Sequence, residues 1–255
     1  MRLHGFLPLI LLSFAGCGAR AAETVSIAAA ANLVYALDTL NAEFKHSAPE
    51  ITVAVATGAS GNLVAQIKNG APFDVFLSAD LDFPRALVKA GQADAKSLVT
   101  FATGRLVLWT MKPGVNLLSI AAVVRDPAVQ KLAVANAETA PYGRAAKQVL
   151  ENLGAWADAQ PKLVTGENIT QTAQFVETGH ADAGFVALSL VLSPKLKDRG
   201  RWLEVEPTLH APLGQGAVLT DRGAANPAAG RYLAFLASPA AKKILQDFGY
   251  SVPGK

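Results

Sequence analysis

One cysteine, Cys17, and four scattered histidines, His4, His46, His180 and His210, are the chain's whole stock of thiol and imidazole. Cys17 falls in an N-terminal segment expected to be removed. The remaining chain then has no disulfide and no thiolate, and its own core must stabilise it. Its length allows that, because a chain of this size buries most of its apolar surface on folding. No two histidines stand at a metal-ligand spacing. A G-x-S-x-G nucleophile elbow is missing. So are a phosphate loop ending in Gly-Lys-Ser/Thr and a G-x-G-x-x-G turn, which disfavours nucleotide binding. Only 17% of the residues are charged, and the net charge is +3. Without Arg2 and Arg20 the 23 Lys and Arg fall to 21 against 20 Asp and Glu, a net charge of about +1. The basic residues form no aromatic-lined face, so no nucleic-acid partner is expected. The apolar run at 6–16 is far shorter than the roughly 20 residues that span a bilayer.

That run does carry an address. Met1-Arg2-Leu3-His4-Gly5 is a short positive start. The uncharged stretch follows, and Ala19-Arg20-Ala21 has the small-x-small form of a cleavage site. The order is that of a secretory signal peptide over residues 1–21, which places the protein in the periplasm. Phe14-Ala15-Gly16-Cys17 is also close to a lipoprotein box, so lipid anchoring at Cys17 stays open.

After the leader, strand and helix signals alternate. Thr24-Val25-Ser26-Ile27-Ala28-Ala29 reads as a strand, and Leu33, Ala36, Leu37, Leu40 and Phe44 then recur at helical spacing. Ile51-Thr52-Val53-Ala54-Val55 is a β-branched strand. Leu63 and Ile67 begin a helix that Asn69-Gly70 closes. Asp74-Val75-Phe76-Leu77-Ser78 is the next strand, followed by a helix with Phe83, Leu87 and Val88. This βαβαβ order implies a parallel sheet covered on both faces. The pattern restarts with strands at 106–109, 132–135, 183–187 and 217–219, a loop at 212–216, and helices around Val149, Val176 and the C-terminus. The fold class is therefore α/β, with two doubly wound Rossmann-like lobes and a ligand cleft between them. Residues 22–103 plus 208–255 are assigned to one lobe and 104–207 to the other. Hinges are expected near 101–105 and 204–210. In open α/β sheets ligands sit off the carboxyl ends of strands, at helix starts.

Four such junctions stand out. Ala28-Ala29-Ala30-Ala31-Asn32-Leu33 lets backbone approach a ligand, and Asn32 can cap the helix or offer its amide. Thr57-Gly58-Ala59-Ser60-Gly61-Asn62 presents N–H groups, a hydroxyl and a helix dipole, which together suit an anion. The same loop can equally be a Gly-rich turn with Ser60 as cap. Ala140-Pro141-Tyr142-Gly143 opens a helix, and Tyr142 either covers its lobe or points a hydroxyl out of the turn. Glu167-Asn168-Ile169-Thr170 supplies further N–H donors or simply caps. Asp80 and Asp82 sit where a helix start favours negative charge, and are read as capping. His180 near a helix end and Arg144 are read as surface residues. The three tryptophans are assigned to core or lobe surface. No proton-transfer residue stands in these loops, so an enzyme is not expected.

The chain resembles the periplasmic molybdate-binding proteins of ABC transporters, which have the type II periplasmic binding-protein fold. The pieces that carry the resemblance are Ile27-Ala28-Ala29-Ala30-Ala31-Asn32-Leu33, Gly70-Ala71-Pro72-Phe73-Asp74-Val75-Phe76-Leu77-Ser78-Ala79-Asp80, Leu153-Gly154-Ala155-Trp156 and Ile244-Leu245-Gln246-Asp247-Phe248-Gly249-Tyr250. The resemblance implies an oxyanion held by Ala31, Asn32, Ser60, Tyr142 and the backbone N–H of Ile169. Molybdenum would then be bound only inside its oxyanion, with no direct protein ligand and no cofactor. One version of the family has Thr where this chain has Ala31, so Ala31 is left with its backbone N–H alone. Another has Tyr where this chain has Ala187 and Ala where it has Tyr142, so the hydroxyl moves from a strand to a helix start. The implied ligand is molybdate, with tungstate beside it, and the implied partner is the membrane permease of an ABC transporter. A monomer is expected. Sulfate or thiosulfate on the same fold is the alternative. Molybdate accepts hydrogen bonds and donates none, so its site should hold neutral donors and exclude free carboxylates. Sulfate has the same charge and shape, which leaves size as the basis of selection.

Overall fold

The computed structural model describes residues 23–253. The expected signal peptide and Cys17 lie outside the described residues. The first sheet begins with β1 (Glu23–Ala30), which passes through a 3₁₀ turn (Ala31–Leu33) into α1 (Val34–Ser47). β2 (Ile51–Gly58), α2 (Ser60–Lys68), β3 (Val75–Ser78), α3 (Asp82–Lys89) and β4 (Val99–Gly104) follow. The second sheet is built by β5 (Leu106–Thr110), α4 (Ile120–Arg125), β6 (Leu132–Ala135), α5 (Pro141–Asn152), α6 (Trp156–Ala159), β7 (Leu163–Gly166), α7 (Ile169–Glu177), β8 (Ala183–Ala187), α8 (Leu188–Val191) and β9 (Arg201–Glu204). The chain then returns to the first sheet with β10 (Leu213–Leu219) and ends in α9 (Asp221–Ala224), α10 (Pro227–Leu236) and α11 (Pro239–Asp247).

Each sheet has five strands, in the orders β2-β1-β3-β10-β4 and β7-β6-β8-β5-β9. The sheets are mixed, which corrects the parallel sheet expected from the βαβαβ order. β1 runs parallel to β2 and β3, but β10 runs antiparallel to β3 and β4. β6 runs parallel to β7 and β8, but β5 runs antiparallel to β8 and β9. The antiparallel pairings all involve strands next to the crossings between sheets, where no crossover helix dictates direction. The expected loop at 212–216 is also corrected, because β10 already begins at Leu213. Gly214 and Gly216 read as turn signals, yet the ladder absorbs them with a shift of register between Gln215 and Gly216.

Each lobe is built on its own apolar cluster, and that of the second lobe continues into Ala30, Ala31, Ala59 and Ala79 of the first. Val25, Ile27, Leu40, Phe44 and Tyr232 belong to one, and Leu108, Trp109, Val149, Leu150 and Phe185 to another. Tyr232 meets Phe44 edge-on at 5.0 Å between ring centres. Arg105 alone separates β4 from β5, and residues 205–212 make the return. Across these crossings the Arg105 guanidinium forms a two-pronged ion pair with Glu204. The strands end and the helices begin on the sides that face one another, and this brings four helix starts to one place.

Candidate functional site

The starts of α2, α5 and α7 and of the 3₁₀ turn leading into α1 surround a cavity of about 10 Å³. Ala31, Asn32, Ser60, Tyr142 and Ile169, the five residues named from the sequence, all line it. They come from both lobes. Small residues fill most of the remaining wall, among them Ala30, Gly58, Ala59, Ala79 and Ala140. No Lys, Arg, Asp, Glu or His is in the lining. A surface groove between β4 and α10 is much larger, about 460 Å³, but Lys96 and Lys242 line it and none of the five residues named from the sequence does.

The four helix starts are left in different states. At the 3₁₀ turn, α2 and α5, the N-cap residues are Ala30, Ala59 and Ala140, and no side chain caps the amides. Uncapped helix N–H groups need a partner and carry roughly half a positive charge per helix. α7 differs, because the Asn168 carboxamide oxygen accepts from Thr170 N–H and Gln171 N–H at 3.0 Å each. That cap takes the second and third amides and leaves the first, Ile169, for the cavity.

Two hydroxyls join these amides. Ser60 Oγ accepts from the Ala79 amide at 3.1 Å, so one lone pair is occupied and its own proton remains to be donated. The Tyr142 hydroxyl is buried and has no hydrogen-bond partner among the described residues. Burial, and then the neighbouring Tyr250, push its pKa well above the ordinary tyrosine value, so it keeps its proton as a donor. Two glycines make this placement possible. A Cβ on Gly143 would lie 2.2 Å from the Ala135 carbonyl, so only glycine lets α5 start this close to β6. A Cβ on Gly104 would lie 2.1 Å from the Tyr142 hydroxyl.

Asn32 departs from its expected use. Its Nδ2 donates to Gln215 Oε1 and to the Tyr250 hydroxyl, both at 2.8 Å. Gln215 Nε2 faces the Leu213 carbonyl at 2.8 Å and the Ala79 carbonyl at 3.4 Å, which fixes the orientation of both amides. The amide expected to reach a ligand is therefore spent inside the protein. Its Oδ1 is buried without a partner and cannot serve an anion. What Asn32 can still offer to the cavity is backbone. Gln215, Tyr250, Ser189 and Gly104 were not named as site residues from the sequence, although Tyr250 ends one of the segments that carry the family resemblance. The one signal for Gln215 was a polar residue between two glycines in an otherwise apolar run.

The charged residues lie outside the lining. Arg144 is not simply exposed. It reaches from α5 to Asp80 at 3.4 Å and Asp82 at 3.5 Å, and its guanidinium stands 5.6 Å from the Phe83 ring. Asp80 accepts from the Phe83 amide at 3.2 Å, as expected of a capping residue. Burial raises its pKa, against the opposing pull of Phe83, Ser78 and Arg144.

A family model described as bacterial extracellular solute-binding protein matches residues 25–251. The chain belongs to that family. This solute-binding protein is similar to the molybdate-binding protein ModA of Azotobacter vinelandii, with 41% identity over 92% of each chain. It is 40% identical to ModA of Rhodobacter capsulatus, over 90% of this chain and 89% of the relative. A solved periplasmic molybdate-binding protein from A. vinelandii superposes with a TM-score of 0.84 and 33% identity, over 90% of this chain and all of that one. The two-lobed α/β architecture is thus the solute-binding fold.

Proposed function

We propose that this solute-binding protein captures molybdate, and tungstate with it, between its lobes and delivers the anion to an ABC transporter permease outside the cytoplasm. The observation that carries the reading is the convergence of four helix starts on one small cavity without a charged side chain. A dianion there meets amides of the Ala31–Asn32 turn, Ser60 and Ile169, together with the Ser60 and Tyr142 hydroxyls. Hydrogen bonds to a charged group contribute roughly 1.5–3 kcal/mol each. Five of them leave enough for sub-micromolar affinity after the costs of association. The similarity to ModA proteins, named for molybdate, supports the choice among oxyanions. Donors from both lobes make the closed state the one that ligand favours, and closure gives a permease a surface to recognise. The lining offers no general acid or base, so capture without chemistry is the proposed role, with no cofactor.

Titration calorimetry of the purified protein with molybdate, tungstate, sulfate and phosphate tests this. Molybdate and tungstate should bind tightly, and sulfate and phosphate should give weak or undetectable heat. Equal affinity for sulfate and molybdate would overturn the assignment.

A further inference from the structure

We propose that Gln215 is a positioning residue that determines which size of oxyanion the cavity accepts. The inference rests on the anion-capture reading above. Gln215 is fully buried on β10, at the register shift. Its Oε1 receives one Asn32 Nδ2 hydrogen, and the other goes to the Tyr250 hydroxyl. Ser189 Oγ, on α8 of the second lobe, donates to the Asn32 carbonyl at 2.8 Å and lies 3.1 Å from the Tyr250 hydroxyl. On its other side Gln215 Nε2 reaches the Ala79 carbonyl, and the Ala79 amide holds Ser60 Oγ. One side chain is therefore linked to the turn carrying Ala31 and Asn32, and through a single residue to the Ser60 hydroxyl.

Tyr142 reaches the same region without bonding to the network. The position of a Cβ on Gly104 is 2.1 Å from the Tyr142 hydroxyl and 3.0 Å from Gln215 Nε2, so both groups crowd the space that a side chain at 104 would take. Two of the donor-bearing segments thus share one brace, Tyr142 packs against it without a hydrogen bond, and Ser189 ties that brace across the lobes. Molybdate and sulfate have equal charge and the same tetrahedral shape, and Mo–O bonds are the longer. Rejecting the smaller anion requires donors that cannot close in on it. A buried network whose donors are all engaged resists such movement, because breaking it strands polar groups away from water.

The test is the ratio of molybdate to sulfate affinity, which a purely structural role would leave alone. Gln215→Met keeps the length of the side chain and deletes its hydrogen bonds. The ratio should fall at least tenfold, through weaker molybdate binding with sulfate unchanged or tighter. Tyr250→Phe and Ser189→Ala, at the far end of the network, should lower it in the same direction by less. If Gln215→Met does not fold, the Tyr250→Phe ratio decides. A ratio that stays put, or an equal loss for both anions, overturns the inference. A wild-type protein with no preference for molybdate sinks the functional reading and this inference together, whereas a selective wild type with ratio-neutral variants sinks the inference alone.

Discussion

Under the proposed capture of an oxyanion, Tyr142 sets stability against function in one side chain. Its hydroxyl is buried and unpartnered, a condition that costs a folded protein about 1–3 kcal/mol. The proposed oxyanion would relieve that cost. Tyr142→Phe should therefore raise the melting temperature of the ligand-free protein while weakening molybdate binding roughly 10- to 100-fold, the value of one charge-assisted hydrogen bond. Ser60→Ala should weaken binding by a similar factor without the gain in stability, because the Ala79 amide loses its acceptor. Thermal melting and calorimetry on the two variants check both halves. A Tyr142→Phe protein that binds like the wild type would remove the hydroxyl from the site. Asn32 carries the opposite lesson. Its partners Gln215 and Tyr250 are 183 and 218 positions away in the chain. No local pattern could reveal that its amide is already spent.

At the scale of elements, helix starts decide the site, and backbone clearance decides where helices start. Gly143 is the sharpest case, since a side chain there meets the Ala135 carbonyl on β6. Gly143→Ala should push the first turn of α5 away from the sheet. Overpacking of this kind costs about 1–3 kcal/mol or more, and here it also moves Tyr142. The expected result is a lower melting temperature with a loss of molybdate affinity. Wild-type affinity in this variant would show that α5 can shift without disturbing the cavity. The elements carrying the site were legible because their signals are local: β-branched runs for β2, a Pro start for α5, and apolar spacing in α1 and α7. β7, β9 and α4 were not. β9 is a four-residue edge strand, Arg201-Trp202-Leu203-Glu204, with no residue fully buried, so it lacks the apolar alternation that marks a half-buried strand. β4 lay where the break between lobes was expected, and β10 was partly hidden by its glycines. In each case pairing with a distant strand overrides a weak or misleading local signal.

For the whole molecule the question is what holds the lobes together, and magnitudes separate the candidates. Gly61 N–H donates to the Thr139 carbonyl at 2.9 Å, and Thr170 Oγ1 donates to the Ala31 carbonyl at 2.9 Å. Arg144 with Asp80 and Asp82 is the most conspicuous cross-lobe contact. Yet the Arg144 side chain is 37% exposed, Asp82 is 73% exposed, both distances are long, and the buried Asp80 is already held by Ser78 and the Phe83 amide. Long ion pairs to a partly exposed guanidinium contribute about 0–1 kcal/mol and weaken with salt. A ligand that bonds to both lobes contributes several times as much, and so shifts the population toward closure by its own differential contacts. Arg144→Ala should therefore reduce molybdate affinity by no more than about fivefold, and the difference from wild type should shrink further at high salt. Ser60→Ala and Tyr142→Phe should each cost more than this. Calorimetry at low and high ionic strength separates the cases, because a hundredfold loss in Arg144→Ala would mean that the rim ion pair, and not the buried ring of neutral donors, holds the anion in place.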